Sequence, residues 1–310
     1  MNNLEINSIL STCHTLKPKE LIISDLKWKY LIRAVIRAKN VMIIGASGTA
    51  KTMAARCVAD ALKRPFIKFS CGSTQDARST LIGNTTYKKE IGTVFHKSSF
   101  VNAITTPNTI ILLDEFSRGT HDFHNILMTV TDPTQRYLRL DEDIESSVIK
   151  VAEGVSFIAT ANIGNEYTAT KVLDKASSRR FPIKLEMSPL NGKELTYLFS
   201  ILFPTASREQ ELLLKTMVKI SEDLISQCNI EDASISTYIS PANMVEIGEL
   251  IMDGFALEEI AEAAIYPEYP DDGGADSERS FVKSIIQKYI TKNVKSPIND
   301  PLISKTVKTF

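Results

Sequence analysis

The chain has 310 residues, with 36 Lys and Arg against 37 Asp and Glu, a formal net charge of −1. That length can bury a large core and is enough for two, and 43% apolar with 24% charged residues excludes a disordered or fibrous chain. Near-neutrality excludes a global electrostatic pull toward nucleic acid or an anionic membrane, leaving only room for a local basic patch. Cys13, Cys57, Cys71 and Cys228 are scattered with no CxxC pair, a pattern of free thiols rather than of a disulfide frame or zinc site. The opening MNNLEINSIL has no basic stretch leading into an apolar one, so no secretory signal is read there. The longest apolar runs, such as Val41–Ile44 and Ile110–Leu113, fall far short of the about 18 residues that span a bilayer. The expectation is a cytoplasmic protein with no membrane segment.

Five short β-branched runs follow in chain order: Val41–Ile44, Pro65–Ser70, Thr109–Leu113, Val155–Thr160 and Phe181–Glu186. Nearly continuous apolar runs of this length suit strands buried on both faces of a parallel sheet. Helical patterns separate them. Lys51–Lys63 is rich in Ala, and Phe123, Ile126, Leu127 and Val130 repeat at helical spacing. Alternating strands and helices predict an α/β fold, a five-stranded parallel sheet flanked by helices. After Ser188-Pro189 the period changes. Asn191 and Glu194 form a capping box, followed by the stripe Leu195, Leu198, Phe199 and Leu202. A second stripe is Leu213, Met217, Ile220 and Leu224, and Ser240-Pro241 opens a helix carrying Met244, Ile247 and Ile251. Phe281, Ile285 and Tyr289 mark a last amphipathic helix, before an extended tail with Pro297 and Pro301. The predicted domains are a core at 1–187, a smaller all-helical lid at 188–267, and a terminal helix and tail at 268–310.

The strongest chemical signal is Gly45-Ala46-Ser47-Gly48-Thr49-Ala50-Lys51-Thr52. It follows a strand and opens a helix, the setting of a phosphate-binding loop. Glycines let successive N–H groups turn toward phosphate oxygens, and the helix N-terminus adds positive potential. Lys51 then reaches the β- and γ-phosphates and the Thr52 hydroxyl ligates Mg²⁺. Ala50 stands where the motif has glycine; as the smallest replacement, suited to a helix start, it should preserve the geometry. The second signal is Ile110-Ile111-Leu112-Leu113-Asp114-Glu115, an apolar strand ending in two acids. Asp114 can hold the Mg²⁺ hydration shell beside Thr52, and Glu115 can polarise a water for attack on the γ-phosphate. Together they point to hydrolysis of a nucleotide such as ATP, and not binding alone.

With these motifs the sequence resembles the AAA+ ATPases, and within them the MoxR/CobS-like, dynein-related, helix-2-insert group. Leu26–Asn40 is similar to the helix that leads into the first strand, and Leu81-Ile82-Gly83 to an element after the second. Glu90–Ile104 resembles the inserted hairpin and the helix after it. Ala159-Thr160-Ala161-Asn162 resembles the sensor-one segment, and Leu173–Phe181 resembles the arginine-finger box. The resemblance covers about residues 20–265. It implies that Asn162 orients the attacking water and that Arg180, with Arg179 its neighbour, reaches the γ-phosphate of an adjacent subunit, an effect worth ~10³–10⁵ in rate in GTPases. It also implies a homo-oligomeric ring, commonly a hexamer, with ATP and Mg²⁺ between protomers. Where the family places a sensor-two arginine, this sequence reads Ser240-Pro241-Ala242-Asn243, so a weaker response of the lid to ATP is expected.

Lesser features have plainer readings. His121 and His124 lack a third ligand at local spacing and read as a solvated helix start. Arg118 could meet a neighbouring subunit or pair with a carboxylate. Tyr87-Lys88-Lys89 could tip the inserted hairpin or be a polar turn. The resulting expectation is an ATPase that remodels a protein partner in a chaperone-like way. The resemblance implies that such work is often done alongside a partner or adaptor that carries a von Willebrand factor A domain. One alternative is a DNA- or RNA-associated motor, which neutral charge and the lack of a basic, aromatic-interleaved run weigh against. Another is a nucleotide-gated scaffold with little turnover.

Overall fold

The computed structural model of the chain describes residues 3–89, 92–140, 148–162, 175–228, 230 and 234–294. Two compact units meet in sequence at Pro189 and Leu190. The first opens with α1 (Asn3–Thr12) and α2 (Asp25–Ile36). The Ser24 hydroxyl accepts the Lys27 N–H and so starts α2. Trp28, Leu31, Ile32 and Val35 form its buried face, and the Trp28 indole donates to the Cys13 carbonyl at 2.7 Å.

There follow β1 (Val41–Gly45), α3 (Lys51–Leu62), β2 (Phe66–Ser70), α4 (Ala77–Leu81), β3 (Gly83–Lys88) and β4 (Gly92–Lys97). Next come α5 (Ser99–Thr105), β5 (Ile110–Asp114), α6 (His121–Thr131), β6 (Tyr137–Arg139), β7 (Val148–Lys150), β8 (Ser156–Ala161), α7 (Lys175–Arg179) and β9 (Ile183–Met187). The five apolar runs are β1, β2, β5, β8 and β9, and they form one parallel sheet in the order β2-β5-β8-β1-β9. The central β5 and β8 are buried along their whole length. Because side chains alternate along a strand, the sheet has an apolar layer on each face. Val41, Ile43, Ile110, Leu112 and Ile158 pack with α2 and α3. Met42, Ile111, Leu113 and Phe157 pack with α4, α5 and α6 through Leu81, Phe100 and Phe123. Each fully buried large side chain contributes on the order of 1.5–3 kcal/mol.

Two features differ from the sequence reading. The inserted hairpin is β3–β4, so it begins at Gly83, before the expected Glu90–Ile104; Glu90 and Ile91 lie outside the described residues. Tyr87 sits opposite Thr93 near its turn and is 75% exposed. A second small hairpin, β6–β7, has strands of three residues, too short to leave a hydrophobic period.

The second unit is helical: α8 (Gly192–Leu202), α9 (Arg208–Cys228), α10 (Pro241–Met252), the short α11 (Leu257–Ile260) and α12 (Glu278–Val294). Asn191 and Glu194 make the capping box that starts α8, and Ser240 caps α10 with Pro241 at its first position. The buried stripes include Leu195, Leu198 and Phe199, then Met217, Ile220 and Leu224, then Met244, Ile247 and Ile251. On α12 the buried face is Val282, Ile285 and Ile286, while Phe281 and Tyr289 are only half-buried. Pro297 and Pro301 lie outside the described residues. Among the described residues, no helix is long and apolar enough to cross a membrane.

Candidate functional site

The strand order decides the site. β8 separates β1 from β5, so the segments leaving the C-terminal ends of these three strands converge, as ligand-binding loops do in open parallel sheets. After β1 comes the loop 45–52. Gly45 is required by close approach: a Cβ there would stand 2.3 Å from the Met187 carbonyl of β9. Gly48 takes φ +72° and Ala50 φ +60°, both left-handed. Ala50 is therefore the non-helical residue before α3 and not its first turn, which corrects the expectation that alanine suits a helix start. The Thr49 hydroxyl closes the loop by donating to the Ala46 carbonyl at 2.8 Å; Ser47 is exposed.

Lys51 is buried, and its ammonium donates to the carbonyls of Gly45, at 2.9 Å, and Ala46. Burial lowers its pKa to about 8, although the charges of Asp114 and Glu115 pull the other way. The ammonium therefore sits where an added negative charge would be welcome.

Asp114 ends β5, and three elements aim at its carboxylate. Thr52, from the start of α3, donates to it at 3.1 Å. Thr160, from β8, donates to Oδ1 at 2.5 Å. The Lys68 ammonium, from β2, stands 2.6 Å from Oδ2. Burial works against the charged form, but the hydrogen bonds from Lys68, Thr160 and Thr52 and the Lys68 charge hold Asp114 below the usual carboxylate range. Thr160 does double duty, because its oxygen also accepts the Glu115 N–H at 2.9 Å. Glu115 itself has φ +53°, a conformation that costs a non-glycine residue on the order of 1–2 kcal/mol. Its carboxylate pairs with Arg118 at 3.3 Å, so of the two readings of Arg118 the structure displays the carboxylate pairing. Asn162 follows β8 and is buried.

Thus Lys51, Thr52, Asp114, Glu115 and Asn162 come from three neighbouring strand ends, and Gly45–Ala50 from the first of them. Arg180 is elsewhere. Its Nε donates to the Met128 carbonyl and one Nη to the Ala176 carbonyl, both at 2.8 Å, and its other Nη lies 3.5 Å from Asp132. Asn40 braces the same place, donating to the Thr131 and Arg180 carbonyls. Arg179 is exposed, and Leu173 and Asp174 of the box lie outside the described residues. His121 is exposed and His124 packs edge-on against Phe116, with ring centres 4.5 Å apart. No cluster of three His, Cys, Asp or Glu side chains is placed to hold a metal among the described residues. In the second unit, Ala242 is exposed and the Asn243 side chain accepts from the Ser240 hydroxyl.

Sequence reading did not single out Lys68, the ion-pair partner of Asp114, and quoted Thr160 without giving it a role. The signal was present: each is a polar residue inside an apolar strand, Phe66-Ile67-Lys68-Phe69 and Phe157-Ile158-Ala159-Thr160-Ala161.

A phosphate loop after the first strand of a parallel sheet, facing an acid pair two strands away, defines a P-loop nucleoside triphosphatase. Residues 40–181 match the AAA domain of the dynein-related subfamily. BssE of Thauera aromatica, named as a candidate chaperone, is 31% identical over 233 residues, 73% of this chain and 74% of that protein. The chain belongs to the AAA family and is an ATPase. The uncharacterized protein YojN of Bacillus subtilis is 25% identical over 79% of this chain and 81% of its own length. Lon protease 2 of Borreliella burgdorferi is 29% identical over 71% of this chain, but over only 27% of its own. Among solved structures, NtrX from Brucella abortus in complex with ADP aligns with TM-score 0.45 and 15% identity, over 92% of this chain and 72% of that one, too loosely to carry anything for this chain.

Proposed function

We propose that the protein binds ATP with Mg²⁺, hydrolyses it in a homo-oligomeric ring, and uses turnover to remodel a protein partner, as a MoxR/CobS-like chaperone. In this reading the loop amides of Gly45–Ala50 and the Lys51 ammonium hold the phosphates. Lys51 leaves two neutral carbonyls for an anion, which relieves the cost of its buried charge. Thr52 and Asp114 hold the metal. One hydroxyl and one carboxylate suit Mg²⁺, which takes few protein oxygens and completes its shell with phosphate and water. When bound, Mg²⁺ neutralises charge developing on the phosphates. Glu115 accepts the proton of the attacking water, which first requires its carboxylate to turn from Arg118. Asn162 orients that water with its amide. Arg180 or Arg179 acts on the neighbouring subunit's nucleotide, but Arg180 must release two carbonyls to do so, whereas Arg179 need release none that the structure displays.

The observation that carries the reading is the convergence of Thr52 and Thr160 on Asp114, with Glu115 held by the same Thr160 hydroxyl. Supporting a protein substrate are the name of BssE, the near-neutral charge and the exposed Tyr87 on the hairpin. The partner with a von Willebrand factor A domain rests on the resemblance alone. The test is ATP turnover by purified protein at concentrations that favour assembly. Glu115→Gln should keep ATP binding and lower turnover by about 10²–10⁴-fold; an unchanged rate sinks the catalytic assignment. A protein that co-purifies with this variant in ATP would identify the substrate, whereas salt-sensitive DNA-stimulated turnover would move the reading to nucleic acid.

A further inference from the structure

Lys68 has no part in the mechanism above, yet it holds the metal-facing carboxylate. It lies on β2, the edge strand beside β5, in register with Leu112. Leu112 and Asp114 share one face of β5, so Asp114 is the diagonal neighbour of Lys68, within reach of a long side chain. The two oxygens of Asp114 are already engaged. Oδ1 accepts from Thr160 and Thr52, and Oδ2 accepts the Lys68 ammonium at 2.6 Å with Thr52 further away at 3.3 Å. Thr52 can turn its oxygen to a metal and still point its hydrogen at Asp114. Lys68 cannot share in that way: an ammonium has three donors and no acceptor, so it and a hydrated divalent cation compete for the same oxygen lone pairs.

We propose that Lys68 is a resident counter-cation of Asp114, displaced from Oδ2 when Mg²⁺ enters with the nucleotide, and that it thereby sets the Mg²⁺ concentration the site requires. This rests on the reading of Thr52 and Asp114 as the metal site. The structure supplies the two conditions such a device needs. A partly buried carboxylate is stabilised by a neighbouring cation, and Lys68 is that cation. Release is cheap, because the Lys68 side chain is already 47% exposed. It also borders an open polar groove lined by Ser70, Ser73, Thr74 and Gln75, whose oxygens can take the ammonium.

The experiment is the binding of a fluorescent ADP to the full chain, titrated with Mg²⁺ and repeated with the metal chelated. Lys68→Gln should lower the half-saturating Mg²⁺ about fivefold, the scale of a half-exposed ion pair, with metal-free ADP affinity unchanged. Lys68→Arg should behave as the parent protein, and Lys68→Met serves if the Gln variant is poorly folded by circular dichroism. An unchanged or raised Mg²⁺ requirement in a folded Gln or Met variant overturns the proposal. So does an equal loss of affinity with the metal chelated, which would make Lys68 a nucleotide contact. Asp114→Asn separates the two levels: if it keeps the parent Mg²⁺ dependence, the metal site itself is misplaced and this inference falls with it. If Asp114→Asn loses that dependence while the Lys68 variants match the parent, only the displacement by Lys68 fails.

Discussion

The phosphate loop and the arginine box each carry, next to their last residue, a basic side chain whose charge meets backbone carbonyls, and the two are in opposite situations. Lys51 donates to Gly45 and Ala46, carbonyls of its own loop, and burial leaves it with a pKa lowered to about 8. Arg180 donates to Met128 and Ala176, which lie in the last turns of α6 and α7. The last four carbonyls of a helix have no partner within it, and a cation there also complements the helix dipole. Asp132, the residue that ends α6, adds its carboxylate. Arg180 is therefore already employed as a cap for two helices, whereas Lys51 is a buried cation held only by neutral carbonyls, which an added anion would relieve. A basic residue in a motif is free to act only if the fold has not used it first.

The largest effects that test this contrast fall on Lys51. Lys51→Met should weaken ATP binding by about 100-fold, as expected for losing a charge-assisted contact worth on the order of 2–3 kcal/mol. Without nucleotide the same variant should be the more stable protein, because it no longer buries an under-compensated charge. The pH dependence has a definite sign. The folded-state pKa of about 8 lies below the ordinary 10.5, so between these values the unfolded chain binds more protons and stability rises with pH. The cost is full below about pH 8 and disappears as pH passes 10.5. Denaturant melts at pH 7.5 and 9.5 should show the advantage of Lys51→Met shrinking at the higher pH, from a value on the order of 2 kcal/mol. A pH-independent difference would mean the lysine is not under-compensated.

At the arginine box the prediction reverses: stability should suffer. Arg180→Ala leaves two helix-end carbonyls without their donor and should cost about 2 kcal/mol in a denaturant melt. Arg179→Ala, on an exposed side chain, should change it by less than about 0.5 kcal/mol. In assemblies mixed with Glu115→Gln subunits, Arg179→Ala lowering turnover without loss of stability would assign the trans role to Arg179. Turnover lost only in Arg180→Ala, with the melt unmoved, would break the capping argument.

These two regions also mark how far the sequence could be read. The five sheet strands were legible because each is a short run rich in apolar residues, and the inner ones are buried by the parallel sheet on both faces, as Ile110–Leu113 and Phe157–Ala159 are. The loop and acid pair were legible because both are local in sequence. What was hidden depends on neighbours far along the chain. Thr160 and Lys68 acquire their roles only because β8 and β2 lie on either side of β5, a strand order that no local pattern states. Arg180 looked free because its partners are main-chain carbonyls, and those of α6 lie about 50 residues earlier in the chain, where residue type leaves no trace.

The smallest effect is the most direct test of the loop's geometry. Ala50 holds φ +60° and ψ +23° immediately before α3, a conformation that costs an L-residue with a Cβ on the order of 1–2 kcal/mol and glycine almost nothing. Part of that gain is lost because glycine makes the unfolded chain more flexible, so Ala50→Gly should raise stability by about 0.5–1 kcal/mol while ATP affinity stays within about threefold of the parent. Ala50→Val, with a branched Cβ, should move stability the other way. A melt no higher for the glycine variant would mean that the loop relaxes around alanine in solution. Glu115 holds nearly the same angles, φ +53° and ψ +43°, and supplies the control. Glycine there should relieve comparable strain yet remove the carboxylate that the proposed hydrolysis requires. Stability gained at both positions, with turnover lost only at 115, would separate incidental strain in the loop from strain that the site retains for its chemistry.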